Sequence, residues 1–316
     1  MIEGIKRLMK KSDIIVHIYR ILQYKWRKFS KLIISDERFL KRMYYKKFGK
    51  KLNLENPNTY NEKIQWIKLY DKNPKMPVCA DKFLVRRYVK ARLGKDICVP
   101  LIGVYENPEH INFDELPEKF VLKVNFGSGY NIICQDKEKL DFKRARRQLK
   151  RWMKTDYSVM GREWLYKNIK PKIVCEQLLE DTSGRIPHDY KIFCFNGKPK
   201  YIKVDIDRFT EHKRNIYDTN WNYLDFSIKK PKATHIKIEK PKQLDDMLEI
   251  AEKLSKEFLH VRVDYYIIDD TLYLGELSFH HASGFGKFYP KKWDRTFGDE
   301  LSLKSIAQNT DCSNIY

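Results

Sequence analysis

Apolar residues recur at Ile14, Ile18, Leu22, Trp26, Phe29 and Ile33, in steps of three and four, within a stretch (5–48) that holds no proline. This spacing predicts a helix or a helix pair. The other faces carry Lys10, Lys11, Arg20, Lys25, Arg27, Lys28 and Lys31. Pro57 and Asn58 break the chain, and Thr59 with Glu62 three positions on predicts a capping box and a helix running to Leu69. A second helix is predicted over 78–94, closed by Gly94. Residues 97–106 (ICVPLIGVYE) read as a strand. From residue 120 strand-like runs dominate. KFVLKVNFGSGYNIICQD is strand, glycine loop, strand; 137–168 is a charged helical stretch; KIVCEQLLED is a strand ending in acidic residues. DYKIFCFNGKPKYIKVDIDRF predicts a hairpin about Asn196-Gly197. A helix over 244–258 has Leu244, Met247, Leu248, Ala251, Leu254 and Phe258 on one face, and RVDYYIIDDTLYLGELS (262–278) is a further hairpin. Mixed hairpins and helices predict the α/β (α+β) class.

The last hairpin carries charges where a core is expected. Residues two apart share a strand face, so Arg262 goes with Asp264 and Glu276 with Ser278. A three-residue loop, Asp269-Asp270-Thr271, would pair Ile268 with Leu272 and Asp264 with Glu276. That register gathers all four polar groups on one side. It leaves Val261, Val263, Tyr265, Ile267, Tyr273, Gly275 and Leu277 on the other. A strict two-residue turn would scatter them. Opposed carboxylates with Cβ atoms roughly 5 Å apart repel unless something lies between them. Two neutralisers suit the pair: an ion pair to Arg262, or a divalent cation such as Mg²⁺, which takes one or two carboxylates plus phosphate oxygens.

Upstream, Lys123 precedes Gly127-Ser128-Gly129, a turn whose backbone N–H groups can approach a phosphate while the lysine supplies fixed charge. The spacing is neither a Walker loop nor a dinucleotide fingerprint. Glu176, Gln177, Leu178 and Leu179 form a strand exit that can offer backbone groups to an adenine edge between apolar walls.

Charge narrows the partners. Lys and Arg number 63 against 42 acidic residues, a net +21 over 316 residues, which favours polyanions. Residues 1–50 hold 15 Lys or Arg against 4 Asp or Glu, a net +11. The basic amphipathic segment fits two arrangements: a helix packed on the protein with its basic face in solvent, or an element lying on anionic lipid or a lipid-linked substrate. Tyr24-Lys25-Trp26-Arg27-Lys28-Phe29 interleaves aromatic and basic residues, but a helical face explains it better than base stacking, so no nucleic acid is expected. Six scattered cysteines (Cys79, Cys98, Cys134, Cys175, Cys194, Cys312) form no zinc spacing and read as reduced thiols. No secretory signal and no run of about 20 apolar residues is present, so a cytoplasmic protein is expected, with peripheral contact to the inner face of the membrane through residues 1–50.

The order of lysine and glycine hairpin, E-x-x-L strand, then Arg-x-Asp and Glu across a hairpin resembles the ATP-grasp superfamily, in which two α/β subdomains clamp ATP. TYNEKIQWIKLYDKNP, ADKFLVRRYV, VPLIGVYENPEHINFDELPEKFVLKVNFGSGYNII, DYKIFCFNGKPKYI and LGELSFHHASGF are similar, more closely, to the TupA-like branch associated with teichuronopeptide and capsular polysaccharide synthesis. The likeness covers about 58–300. It implies segments 1–57 (basic helical extension), 58–119 (N-terminal α/β part), 120–190 (lid) and 191–316 (C-terminal subdomain with the metal site). It also implies an ADP-forming ligase that joins a carboxylate, activated as an acyl phosphate, to an amine, with an amino acid and a uronic acid of a glycan or lipid-linked sugar as substrates. Lys123 and Gly127, Ser128 and Gly129 would hold phosphates, and Glu176 to Leu179 would be the adenine hinge. Asp189 and Lys191 would serve ribose and phosphates. Asp264, Glu276 and Ser278 would hold Mg²⁺, and Arg262 would be the transition-state arginine. Arg208 and Arg214 are candidates for an acidic acceptor. Ser278 stands where many relatives have Asn, and Phe126 where the branch has His. The rival class is a glycosyltransferase using Asp205-x-Asp207.

Overall fold

A computed structural model describes residues 13–303, apart from 183, 207–211, 230–231, 233–235 and 237. Two antiparallel sheets face a common cleft. The first takes β1 (Leu101–Tyr105), β2 (Phe120–Val124), β3 (Asn131–Cys134) and β4 (Ile173–Gln177) in the order β1-β4-β2-β3. The second takes β5 (Asp189–Phe195), β6 (Lys198–Ile206), β7 (Lys213–Asp218), β9 (His260–Ile268) and β10 (Thr271–Ser278) in the order β10-β9-β5-β6-β7. A short pair, β8 (Ser227–Ile228) with β11 (Phe288–Tyr289), lies beside it. The expected mixed α and β class is therefore observed, with antiparallel sheets throughout.

The helices are α1 (Asp13–Ile33), α2 (Asp36–Phe48), α3 (Tyr60–Tyr70), α4 (Lys75–Ala80), α5 (Val85–Leu93), α6 (Phe142–Met153), α7 (Ser158–Gly161), α8 (Leu244–Ser255) and α9 (Lys292–Glu300). The Thr59–Glu62 capping box forms as expected: Glu62 N–H donates to Thr59 Oγ1 at 3.3 Å and Thr59 N–H to Glu62 Oε2 at 2.9 Å. The Asn196-Gly197 turn also forms, with both residues at positive φ. The helix expected over 78–94 is instead two. Asp81 breaks it, because its carboxylate accepts from its own chain at Phe83 N (2.8 Å) and Leu84 N (3.1 Å) and from Asn125 Nδ2 (2.7 Å). A side chain that satisfies nearby N–H groups competes with the helical ladder. The helical part of 58–119 packs with the core of the second sheet, whereas β1 from the same segment joins the first.

One face of the second sheet changes character along its length. Side chains of Phe193, Phe195 and Tyr201 meet Phe297 of α9, with Tyr60, Phe226 and Phe288 around it; Tyr201 stacks on Phe297 at 4.2 Å. Farther along the same face come Asp189, Lys191, Lys203, Asp205, Arg262 and Asp264, all buried. The opposite face, with Val261, Val263 and Tyr265, packs against α8.

α1 reverses the packed arrangement expected of the N-terminal helix. Its polar side faces the protein: Arg27 donates to Met160 O (2.6 Å), Lys31 to Ser158 Oγ (3.0 Å), and Tyr24 Oη accepts from Asp156 N–H (3.0 Å). Leu22, Trp26, Phe29, Leu32 and Ile33 are exposed, Leu32 at 81%.

Phe297→Ala removes a fully buried ring from the aromatic cluster and is expected to lower stability by about 3–5 kcal/mol in urea denaturation, while Tyr289→Ala, at an exposed ring, should cost under about 1 kcal/mol.

Candidate active site

The hairpin β9–β10 turns through two residues, Asp269 and Asp270, both at positive φ, so Thr271 pairs with Ile268. The expected three-residue loop does not form. A bulge between Leu274 and Glu276 restores the parity, and Glu276 does lie opposite Asp264, Ser278 opposite Arg262. The apolar side therefore includes the buried Leu274 opposite Tyr265, in place of Tyr273. Gly275 sits at the bulge, where a Cβ would lie 2.8 Å from the Tyr266 ring.

Arg262 holds this corner together. Its Nε and Nη2 form a fork on Asp264 (both 2.6 Å), and Nη2 also reaches Glu276 Oε1 and Ser278 Oγ (both 3.1 Å). Ser278 Oγ donates to Glu276 at 3.0 Å. Lys191, opposite Asp264 in the register, donates to it at 2.8 Å, pairs with Asp189, and lies 3.9 Å from Asp205. Burial by itself would raise the Asp264 carboxyl; Arg262 and Lys191 hold it below the ordinary range.

On the first sheet Lys123 pairs with Glu176 of β4. The 125–130 loop turns through Gly127 (φ +72) and Gly129 (φ +80), and a Cβ at Gly127 would meet the Tyr157 ring at 2.5 Å. Only glycine satisfies both the left-handed backbone and that approach.

A cavity of about 340 Å³ lies between the sheets. Lys123, Gly127, Ser128, Gly129, Gln177, Leu178, Leu179, Asp189, Lys191, Asp264 and Glu276 all line it, and Val99, Val121, Tyr130, Ile133, Ile186 and Tyr266 supply apolar wall. Glu176 does not line it; its buried carboxylate stands behind Lys123. Arg262 and Ser278 line an adjoining cavity of about 290 Å³, with Glu276 common to both. Arg214 lines neither: it pairs with Asp205 and donates to Ile228 O at 2.9 Å. Arg208 and Asp207 lie outside the described residues. Asp205 is buried among Lys203, Lys191 and Arg214, which hold its carboxyl below the ordinary range against the effect of burial.

Lys82 is the residue that periodicity hides. Read as mid-helix, it stands at the Asp81 break, donates to Gly127 O (2.7 Å) and lines both cavities. Burial lowers its pKa. Glu163, His280 and His281 also line the second cavity, and no spacing in the sequence marks them.

Asp264, Glu276 and Ser278 offer only oxygen donors, the chemistry that suits Mg²⁺ rather than a thiolate metal. Among the described residues no group of three or more His, Cys, Asp or Glu could hold a metal. Two antiparallel sheets thus enclose a cleft, with lysines and a glycine loop on one wall and a carboxylate pair on the other.

The family model described as TupA-like ATPgrasp matches residues 62–302, and the chain belongs to that family. No curated protein matches it. Among solved structures it is similar to D-alanine–D-alanine ligase from Bacillus anthracis complexed with ATP (19% identity, TM-score 0.37, covering 64% of this chain and 54% of that one). It is also similar to L-amino acid ligase from Bacillus licheniformis (14%, 0.44, 80% and 57%) and to a RimK domain ATP-grasp protein from Sphaerobacter thermophilus DSM 20745 (12%, 0.40, 78% and 72%). The chain spans little more than half the length of the first two.

Lys191→Met removes a buried cation from this cluster: Asp189 loses its lysine, Asp264 keeps only Arg262, and Asp205 keeps Lys203 and Arg214. The expected loss is about 3–5 kcal/mol at neutral pH. The loss should shrink as pH falls, because protonation of these carboxylates relieves the variant while the wild-type pairs keep Asp264 ionised. Urea denaturation at two pH values checks both the size and the sign.

Proposed function

We propose that the protein is an ATP-dependent carboxylate–amine ligase that attaches an amino acid to a uronic acid of a surface polysaccharide or its precursor. The observation carrying this reading is that a single cavity joins Lys123 and the Gly127–Gly129 loop on one sheet to Lys191, Asp264 and Glu276 on the other. Leu178, Leu179 and the apolar walls would take the adenine, Asp189 the ribose, and Lys82, Lys123 and Lys191 the phosphates. Asp264 and Glu276, with Ser278 beside them, would hold Mg²⁺, which when bound neutralises phosphate charge. Phosphoryl transfer to the substrate carboxylate gives an acyl phosphate and ADP. Attack by an amine then forms the amide and releases phosphate. Arg262 would stabilise the charge that builds on the acyl group.

Activity of this kind predicts release of ADP and phosphate from Mg-ATP that depends on both an amino acid and a uronic-acid acceptor. Glu276→Gln and Lys123→Ala should each lower the rate by about a hundredfold or more. Release of UDP from a UDP-sugar in place of this reaction would overturn the ligase reading in favour of a glycosyltransferase.

The same proposal places the enzyme on the inner face of the membrane. Among the described residues no helix is long and apolar enough to cross a bilayer. Leu22, Trp26, Phe29, Leu32 and Ile33 nevertheless face outward from α1, with exposed Lys25 and Lys28 between them. An apolar stripe set among lysines complements an anionic lipid surface. Replacing Trp26, Phe29 and Leu32 together by Glu should cut binding to phosphatidylglycerol vesicles by about tenfold or more in sedimentation, with little change in the weak binding to phosphatidylcholine. Binding unchanged by the triple substitution would remove the membrane from this proposal.

A further inference from the structure

The helix α6 (Phe142–Met153) gathers positive charge on one side. Lys143, Arg144, Arg147, Lys150, Arg151 and Lys154, the last at its C-cap, are all exposed. At about 100° per residue they fall within an arc of about 120°, along about 16 Å of helix. The other side is committed to the fold. Ala145 and Leu149 are buried with Phe120 and Leu122 in the core of the first sheet. Arg146 is turned inward over the Phe113 ring (4.9 Å), and its Nη2 donates to Ile111 O (2.7 Å). No acidic residue lies between 142 and 155. The two that flank the segment are engaged: Asp141 accepts from Arg144 N–H at 2.8 Å, and Asp156 accepts from Ser158 N–H at 3.0 Å and Ser158 Oγ at 2.6 Å.

This face breaks rules that other helices of the protein keep. In α2, α8 and α9 exposed cations pair with acids one turn away: Lys41 with Glu37, Lys253 with Glu249, Arg295 with Asp299. In α6 the same spacing sets like charges together, Lys143 with Arg147, Arg147 with Arg151 and Lys150 with Lys154, and such pairs repel. Lys143 and Arg144 also sit in the first turn, at the positive end of the helix dipole. Lys143, Arg144, Arg147, Lys150 and Lys154 make no ion pair among the described residues. A local conflict that the fold leaves uncompensated points to a partner outside it, here a polyanion.

We propose that this face of α6 docks an acidic polysaccharide, its guanidinium and ammonium groups pairing with carboxylates on successive sugars. The choice of occupant rests on the uronic-acid reading above, and the face itself supports it. Arg144, Arg147 and Arg151 carry planar forks that match carboxylates. No large apolar side chain of α6 is exposed, so the face lacks both the groups that insert into lipid and the rings on which nucleobases stack. The helix also backs onto the candidate site: Trp152 stacks on Tyr130 at 5.4 Å, and Tyr130 lines the cavity between the sheets. A polymer held on α6 keeps its sugars at high local concentration near that cavity.

Calorimetric titration of the full-length protein with polygalacturonate, in the absence of ATP and with dextran as the uncharged control, tests this. Wild type should bind polygalacturonate but not dextran, and more weakly as salt rises. The triple variant Arg144→Gln, Arg147→Gln, Lys150→Gln should raise Kd about tenfold or more without lowering the melting temperature, since it removes repulsion. Arg42→Gln, Lys46→Gln and Lys47→Gln together remove the same formal charge from α2 and should leave Kd within about twofold of wild type. No binding by wild type, an α6 variant within about twofold of it, or an equal loss in the two triple variants overturns the docking surface. So does an α6 variant that keeps polygalacturonate binding and loses phosphatidylglycerol vesicles, which assigns the face to the membrane. Polygalacturonate binding at α6 in a protein with no acceptor-dependent ADP release upholds the surface and sinks the ligase reading; ADP release with a monomeric uronic acid, and no polymer binding, does the opposite.

Discussion

Everything in the cleft depends on a buried charge network on one face of the second sheet. Arg262 forks onto Asp264, Lys191 holds Asp264 from the neighbouring strand, and Asp189 and Asp205 complete the cluster. Charges this deep are tolerated only when paired and hydrogen-bonded. The network is therefore first of all a constraint on the fold. It requires β5, β6 and β9 to keep their register, since a one-residue slip would turn these charges into the α8-facing core. The same face continues into the aromatic cluster around Phe297, so the apolar end anchors the strands whose charged ends build the site.

The network also explains how a single polar corner can serve two cavities. Gly275 bulges the edge strand, and Glu276 emerges at the wall common to both. Lys82 reaches that wall from the opposite direction because Asp81 ends α4 and redirects the chain. Two local breaks in regular structure, one in a helix and one in a strand, thus bring a cation and a carboxylate to the same partition. Each break has a chemical cause, a carboxylate that accepts backbone N–H groups in one case and a residue without a Cβ in the other.

The N-terminal helices connect to this region through polar contacts. Arg27 and Lys31 of α1 bind the 158–160 backbone and Ser158, while Arg162 reaches Ser30 and Asp36 and stacks over Phe39 at 4.2 Å. Arg162 immediately precedes Glu163, so the element that presents an apolar stripe to the exterior rests on the segment that lines the second cavity. The inward use of polar side chains is what leaves the apolar stripe outside.

Much of the architecture was legible in the chain. Capping residues, turn pairs and alternating runs act locally, so the Thr59–Glu62 cap, the Asn196-Gly197 hairpin and the shared face of Arg262, Asp264, Glu276 and Ser278 could be read from spacing alone. The glycine loop and the strand exit at Gln177 were readable for the same reason, and both line the cavity between the sheets. What spacing misjudged depended on contacts between distant segments. The hairpin reached its expected pairing by a two-residue turn and a bulge; Asp81 broke a helix that periodicity would continue; Arg214 was drawn to Asp205. Glu163 and His280, 117 positions apart, meet only in the folded protein. Sequence by itself determined which elements form and which faces carry charge, because those follow from neighbours a few residues away. Only the tertiary structure decided which charges pair, which histidine meets Glu163 and which side of α1 meets solvent, because those depend on desolvation and partners that the linear order does not contain.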